Sequence, residues 1–128
     1  MNTVLVVEDC LVDRKAIEFS LKQNGFEVLT AQNGEEAIQK LRNYQPDVII
    51  LDILLPGYSG FEICRQFKTD PKTKKIPIVF CSSKATELDK FWGLKQGADA
   101  YLTKPIVSQE IIPIINQVIN RQTFAGEA

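Results

Sequence analysis

The chain has 128 residues, 45% of them hydrophobic, which is enough for one substantial core and too short for two ordinary domains. Fifteen basic residues against sixteen acidic ones leave a net charge of −1, so nothing in the balance calls for nucleic acid or an anionic membrane as partner. Histidine is absent, which excludes Ser-His and Cys-His nucleophiles and imidazole metal ligands.

Short apolar runs alternate with helical patterns along the whole length. The N-terminus enters Thr3-Val4-Leu5-Val6-Val7 without a basic leader, and no apolar run reaches membrane-spanning length, so a soluble, cytoplasmic protein is expected. Val4 to Val7 reads as the first strand. Ala16, Ile17, Ser20 and Leu21 then share one helical face, and Asn24-Gly25 supplies a stop. Glu27 to Ala31 is the second strand. Asn33 can cap the second helix while Glu36, three residues on, reaches back as in a capping box, which turns Ala37, Ile38 and Leu41 toward the sheet.

Val48 to Leu51 has no polar alternation, as expected of a strand buried on both faces, and it ends on Asp52. A third helix is predicted from about Gly60 to Lys68, with Phe61, Cys64 and Phe67 inward, followed by a solvated lysine loop at 71–75. Ile76 to Cys81 is the fourth strand, Thr86 to Gln96 the fourth helix, stopped by Gly97, and Ala100 to Thr103 the fifth strand. A fifth helix follows Ser108. Pro113 falls inside it, so that helix either kinks or starts late. Residues Phe124 to Ala128 read as a frayed end.

Strict β-α repetition with short connections implies one parallel sheet with helices on both faces. The expected fold is a three-layer (βα)5 α/β domain, a single domain over residues 1–128, and the flavodoxin-like strand order 2-1-3-4-5 is the condition under which its strand ends meet. In that order Glu8-Asp9, Asp52, Ser82-Ser83 and Lys104-Pro105 all emerge at carboxyl ends of strands and converge on one crevice, where open α/β sheets bind ligands. Three carboxylates against one ammonium leave the crevice at −2. A small divalent cation relieves that charge, and an all-oxygen donor set suits Mg²⁺ better than zinc or copper.

Cys10, Cys64 and Cys81 are widely spaced and odd in number, which argues against disulfides and zinc and for a reducing compartment. Cys10 is expected to be buried or half-buried. Phe91 and Trp92 suit either the packing of the fourth helix or a partner contact. Lys104 precedes a proline that holds it extended, in a bond that is compatible with cis.

The motifs Val7-Glu8-Asp9, Asp52-Ile53-Leu54-Leu55-Pro56-Gly57, Ile76 to Ser83 and Gly97 to Pro105 together resemble the receiver domains of two-component response regulators, in particular stand-alone CheY-like ones. The likeness covers residues 3 to 122. The segment from Phe91 to Tyr101 is also similar to cyanobacterial single-domain regulators associated with pilus motility or phototaxis. The resemblance implies that Asp52 is the phosphoacceptor, attacking a phosphohistidine that a partner must supply because this chain has none. It implies that Glu8 and Asp9 hold Mg²⁺, with Asp52 and the backbone carbonyl of Leu54 completing the protein ligands. Ser82 then matches the hydroxyl that bonds a phosphoryl oxygen, Lys104 the neutralising cation, and Tyr101 an aromatic that changes rotamer on activation.

Implied partners are a histidine kinase or phosphotransfer protein and a downstream protein bound on the face of the fourth helix, fifth strand and fifth helix, with no nucleic acid and no membrane insertion. The domain assists its own phosphorylation and dephosphorylation without being an enzyme in the ordinary sense. Leu54 places an apolar group near the path of a hydrolytic water. Two other readings are weaker. A pseudo-receiver has no need of the intact set Glu8, Asp9, Asp52, Ser82 and Lys104, and a phosphatase of the dehalogenase kind wants an acid where Leu54 stands.

Overall fold

The computed structural model describes residues 2–127, with side chains up to Arg121. Five strands, β1 (Thr3–Val7), β2 (Glu27–Ala31), β3 (Val48–Leu51), β4 (Ile78–Ser82) and β5 (Ala100–Thr103), alternate with helices α1 (Leu11–Gln23), α2 (Gly34–Asn43), α3 (Gly60–Thr69), α4 (Glu87–Lys95) and α5 (Ser108–Glu127). All strands pair in parallel, as the β-α repetition predicts, and their order is β2-β1-β3-β4-β5. The end expected to fray, 124–128, falls outside the residues whose side chains are described.

Each central strand sends alternate residues to opposite layers. Val4, Val6, Val48, Ile50, Val79 and Cys81 pack with Ile17 and Leu21 of α1 and with Ile111, Ile115 and Val118 of α5. Leu5, Val7, Ile49, Leu51, Ile78 and Phe80 pack with Ala37 of α2 and with Ile63, Cys64 and Phe67 of α3. This double coverage explains why the β3 run is apolar throughout. Each fully buried Leu, Ile or Phe contributes about 1.5–3 kcal/mol relative to exposure, so both layers are needed to hold the sheet.

Local signals set most element ends. Asn24 and Gly25 close α1 as predicted: the amides of Gly25 and Phe26 donate to the carbonyls of Lys22 and Leu21, with Gly25 at φ 87°. Phe26 is thereby turned into the core beside Leu21. Asn33 caps α2 by accepting from the Glu36 amide, but the Glu36 carboxylate accepts from Gln32 rather than from Asn33. The reciprocal capping box is instead found at α4, between Thr86 and Asp89. β4 begins at Ile78, not at Ile76, because Pro77 has no N–H to enter the ladder, and the Ile78 amide donates to Asp99.

Three helix expectations are corrected. Ala16 faces solvent, and only Ile17 and Leu21 of α1 are buried. Phe61 is only partly buried, its ring edge-on to Phe80, and Ile63 takes the deeper place on α3. Helix α5 starts at Ser108 and runs uninterrupted across Pro113, so there is no late start. Pro113 is tolerated because it is exposed in the second turn, where water can satisfy the carbonyl of the exposed Gln109 left without its partner amide. Pro113→Ala should therefore stabilise the fold by about 1–2 kcal/mol, part of the ~3 kcal/mol that separates the two residues in a helix interior. A higher urea midpoint at unchanged slope is the expected result, and an unchanged midpoint refutes this account of the second turn.

Candidate functional site

Strands β1 and β3 lie side by side, with Val7 opposite Leu51, so the residues that follow them emerge at the same edge of the sheet. The Asp52 amide donates to the Val7 carbonyl and the Glu8 amide to the Ala31 carbonyl, which extends the ladder into the acidic segment. One carboxylate oxygen from each of Glu8, Asp9 and Asp52 lies within 4.8 Å of the others. Glu8 and Asp52 are buried and Asp9 is exposed, so the cluster has a closed floor and an open side.

Lys104 follows β5 and reaches across to this cluster, its bond to Pro105 being cis. The Lys104 backbone is tied to β4 by donation to the Ser82 carbonyl at 3.0 Å. Its ammonium donates to Glu8, to Asp52 Oδ2 at 3.0 Å and to Asp13 Oδ2 at 3.0 Å. Burial disfavours the ammonium, but these three carboxylate bonds outweigh it and hold the Lys104 pKa above its ordinary value. Burial also acts on Glu8. With the nearby Asp52 charge it outweighs the bond from Lys104 and pushes the Glu8 carboxyl up to about 7. The other Asp52 oxygen accepts from the Leu54 amide at 3.2 Å.

The crevice thus brings together Glu8, Asp9, Asp52 and Lys104 as predicted, and Ser82 is buried at the end of the neighbouring β4. The Ser82 hydroxyl accepts from the Lys84 amide at 3.2 Å, and Ser83 is exposed. Tyr101 stands apart from the acidic cluster. Its ring lies against Phe80 and Gly93, and its hydroxyl donates to the Lys84 carbonyl in the loop after β4, so it touches the same loop residue as Ser82. Burial raises the phenol to about 12. The Leu54 side chain is exposed beside the crevice.

Two participants escape a reading of the sequence. Asp13 adds a fourth carboxylate and Arg14 a second cation, its guanidinium donating to the Glu8 carbonyl at 2.9 Å and bracing the acidic turn, so the local balance stays net negative. Their signal was positional: both sit in the first turn of α1, where side chains lean back toward the helix N-terminus and hence over the strand end. The expectation for Cys10 is corrected. It is exposed as the N-cap residue of α1, whereas Cys64 and Cys81 are buried and burial raises their thiols to about 11 and about 12. Phe91 and Trp92 are also exposed, with Lys95 over the Phe91 ring, which removes them from the core.

Among the described residues no helix is long and apolar enough to cross a membrane. The model of the response regulator receiver domain matches residues 4–116. The chain is 37% identical over 119 residues to protein PilH of Pseudomonas aeruginosa, covering 93% of this chain and 98% of that protein. A response regulator receiver domain protein from Clostridium thermocellum superposes with a TM-score of 0.88 at 30% identity, covering 98% of this chain and 99% of the other. The receiver domain of a sensor histidine kinase from Pseudomonas aeruginosa, with a magnesium ion coordinated in its active site cleft, superposes with a TM-score of 0.85 at 27% identity, covering 93% and 98%. With the β2-β1-β3-β4-β5 sheet and the acidic crevice at its carboxyl edge, these likenesses place the chain in the response regulator receiver domain family, and its function in two-component signalling.

Proposed function

We propose that residues 1–128 act as one receiver domain in which Asp52 takes a phosphoryl group from the phosphohistidine of a kinase or phosphotransfer protein. The observation that carries this is the Asp52 carboxylate itself: buried at a strand end, bonded to Lys104 on one oxygen, and within 4.8 Å of the Glu8 and Asp9 oxygens. In the transfer an Asp52 oxygen forms the new O–P bond while the P–N bond to the partner's imidazole breaks, and the electron pair leaves with that imidazole. Such reactions need positioning and charge neutralisation more than covalent help.

The residues fit a divalent ion, because three carboxylates converge with oxygen donors only, one side of the cluster is open, and the local charge is net negative. Glu8, Asp9 and Asp52, with the Leu54 carbonyl, would hold Mg²⁺. When bound, the ion supplies positive charge to the phosphoryl oxygens. The chain's own part is distinct: Lys104 carries an ammonium to the acceptor, the Leu54 amide orients the second Asp52 oxygen, Arg14 braces the acidic turn, and Ser82 offers a hydroxyl on the neighbouring strand.

Phosphorylation changes Asp52 from one negative charge to about two and adds acceptor oxygens. Drawing Ser82 toward them moves the loop at Lys84, which Tyr101 also holds, and so repacks Tyr101 against α4. The output is a shift between two packings, read by a protein bound on the face of α4, β5 and α5. Exposed Leu88, Phe91 and Trp92 on α4 suit such a partner.

Acetyl phosphate with Mg²⁺ should add one phosphoryl mass to the wild type and none to Asp52→Asn. In EDTA the same variant should melt higher than wild type, since one of four clustered carboxylates is neutralised. Equal labelling of the two proteins overturns the assignment of Asp52.

A further inference from the structure

Helix α4 turns four large apolar side chains to water, Leu88, Phe91, Trp92 and Leu94, and among its described residues only Gly93 is buried. The helix therefore rests on the domain at a residue without a side chain. Beneath it lie two rings. A Cβ at position 93 would stand 2.8 Å from Cδ2 and 3.0 Å from Cε2 of Tyr101, and 3.0 Å from Cδ2 of Phe80. All three lie inside the roughly 3.5–4.0 Å at which carbon atoms pack best.

The two rings differ in their freedom to yield. Phe80 is fully buried on β4, between β3 and β5, with Phe61 edge-on against it, so it is held on all sides. Tyr101 is half-buried on β5, the edge strand, and can turn out to water. Turning out breaks the bond from its hydroxyl to the Lys84 carbonyl, which is its hold on the loop that the Ser82 hydroxyl also bonds. We propose that Gly93 is a positioning residue for the response to phosphorylation: lacking a Cβ, it leaves the seat in which the Tyr101 ring joins the loop after β4 to α4. This deepens the function proposed above and rests on it. Movement of Ser82 reaches α4 only while the ring stays between the Lys84 carbonyl and the helix backbone. A methyl group at position 93 closes that seat and leaves the acidic crevice as it was.

Two arms test this on the full chain. The first needs neither metal nor mimic and compares urea midpoints of wild type, Gly93→Ala, Tyr101→Ala and the double variant. Alanine is the better helix former, so any loss at position 93 comes from the displaced ring. Gly93→Ala should lower the midpoint beside Tyr101, and should raise it or leave it unchanged in the Tyr101→Ala background, where the space is free. A midpoint change that is the same in both backgrounds overturns the inference, because Phe80 or the helix itself is then what position 93 meets. A Gly93→Ala chain that does not fold, beside a double variant that does, counts for it; two unfolded chains count against it. The second arm adds Mg²⁺ and beryllofluoride, a phosphoryl mimic, to saturation and follows amide shifts. In the wild type the amides of Ser82 to Lys84 and those of Glu87 to Lys95 should both move, together with the indole N–H of Trp92, the single tryptophan of the chain. In Gly93→Ala the first set should still move and the second response should be lost. Wild-type shifts along α4 in that variant overturn the inference, as does a wild type whose α4 stays still when the mimic binds. Failure of the wild type to take up beryllofluoride overturns the proposed phosphoacceptor site instead, and the urea arm then decides the role of Gly93 alone.

Discussion

Replacing Gly60 by alanine should destabilise the fold by about 3 kcal/mol and displace Asp52, because α3 starts in direct contact with the backbone that carries the acceptor. A Cβ on Gly60 would stand 2.2 Å from the Asp52 carbonyl oxygen and 2.7 Å from the Ile53 Cα. Both are backbone atoms, and both are held: the Asp52 amide bonds Val7, and the Gly60 amide bonds the Ile53 carbonyl at 2.9 Å. Relief requires either α3 to lift, exposing Ile63 and Cys64, or the end of β3 to shift away from β1. Urea unfolding measures the first consequence and acetyl phosphate labelling of the folded fraction the second. A Gly60→Ala protein with wild-type midpoint and labelling rate would show that this close approach has no structural role.

Lys104→Met should have a comparable effect by electrostatics. The methionine keeps most of the stem and removes the ammonium, leaving Glu8 and Asp52 buried together without a cation, a situation that costs about 3–5 kcal/mol. The loss should be greatest in EDTA at pH 8 and should fall with saturating Mg²⁺. The ion restores positive charge beside Glu8 and Asp52, so it binds the folded variant more tightly than folded wild type and adds more mass-action stability to the variant. Lowering the pH should also narrow the gap. In the native protein burial already raises the Glu8 carboxyl from 4.5 to about 7, so the folded state binds the extra proton and wild-type stability from this group falls as pH rises through that window. Without Lys104 the folded-state carboxyl rises further, and protonation at pH 5.5 removes the repulsion that the variant leaves uncompensated. Acetyl phosphate labelling should drop about 100-fold, in the range for loss of one preorganised donor. A stability loss that is the same with and without Mg²⁺, and the same at pH 5.5 and 8, would mean that Lys104 contributes by packing and not by charge.

What could be read along the chain follows from periodicity and from short-range hydrogen bonding. β1 and β3 are apolar on consecutive positions because both faces are covered, and that pattern alone implies helices in two layers. The Asn24-Gly25 stop and the Asn33 cap depend on groups within a few residues of one another, so the amino acids at those positions determine them directly. The convergence of Glu8, Asp9, Asp52 and Lys104 was accessible for a related reason: once the three runs that precede them are strands of one parallel sheet, their carboxyl ends must lie on a common edge.

What depended on tertiary structure involves direction within an element or competition between partners. Ala16 satisfies the helical spacing of a buried face, yet α1 meets the sheet and α5 along Ile17 and Leu21, and only the packed angle between layers selects that stripe. Glu36 is three residues past its cap, yet it bonds Gln32, because the path of the loop after β2 brings that amide nearer. Cys10 faces water because the chain leaves β1 outward to begin α1. Asp13 carries no motif, and its bond to Lys104 joins residues 91 positions apart, so its role arises only where β5 brings the ammonium under the first turn of α1. Local patterns determine elements because their hydrogen bonds close within one turn or one strand. The partner of a long charged side chain is decided by which acceptors the assembled sheet and helices leave unsatisfied.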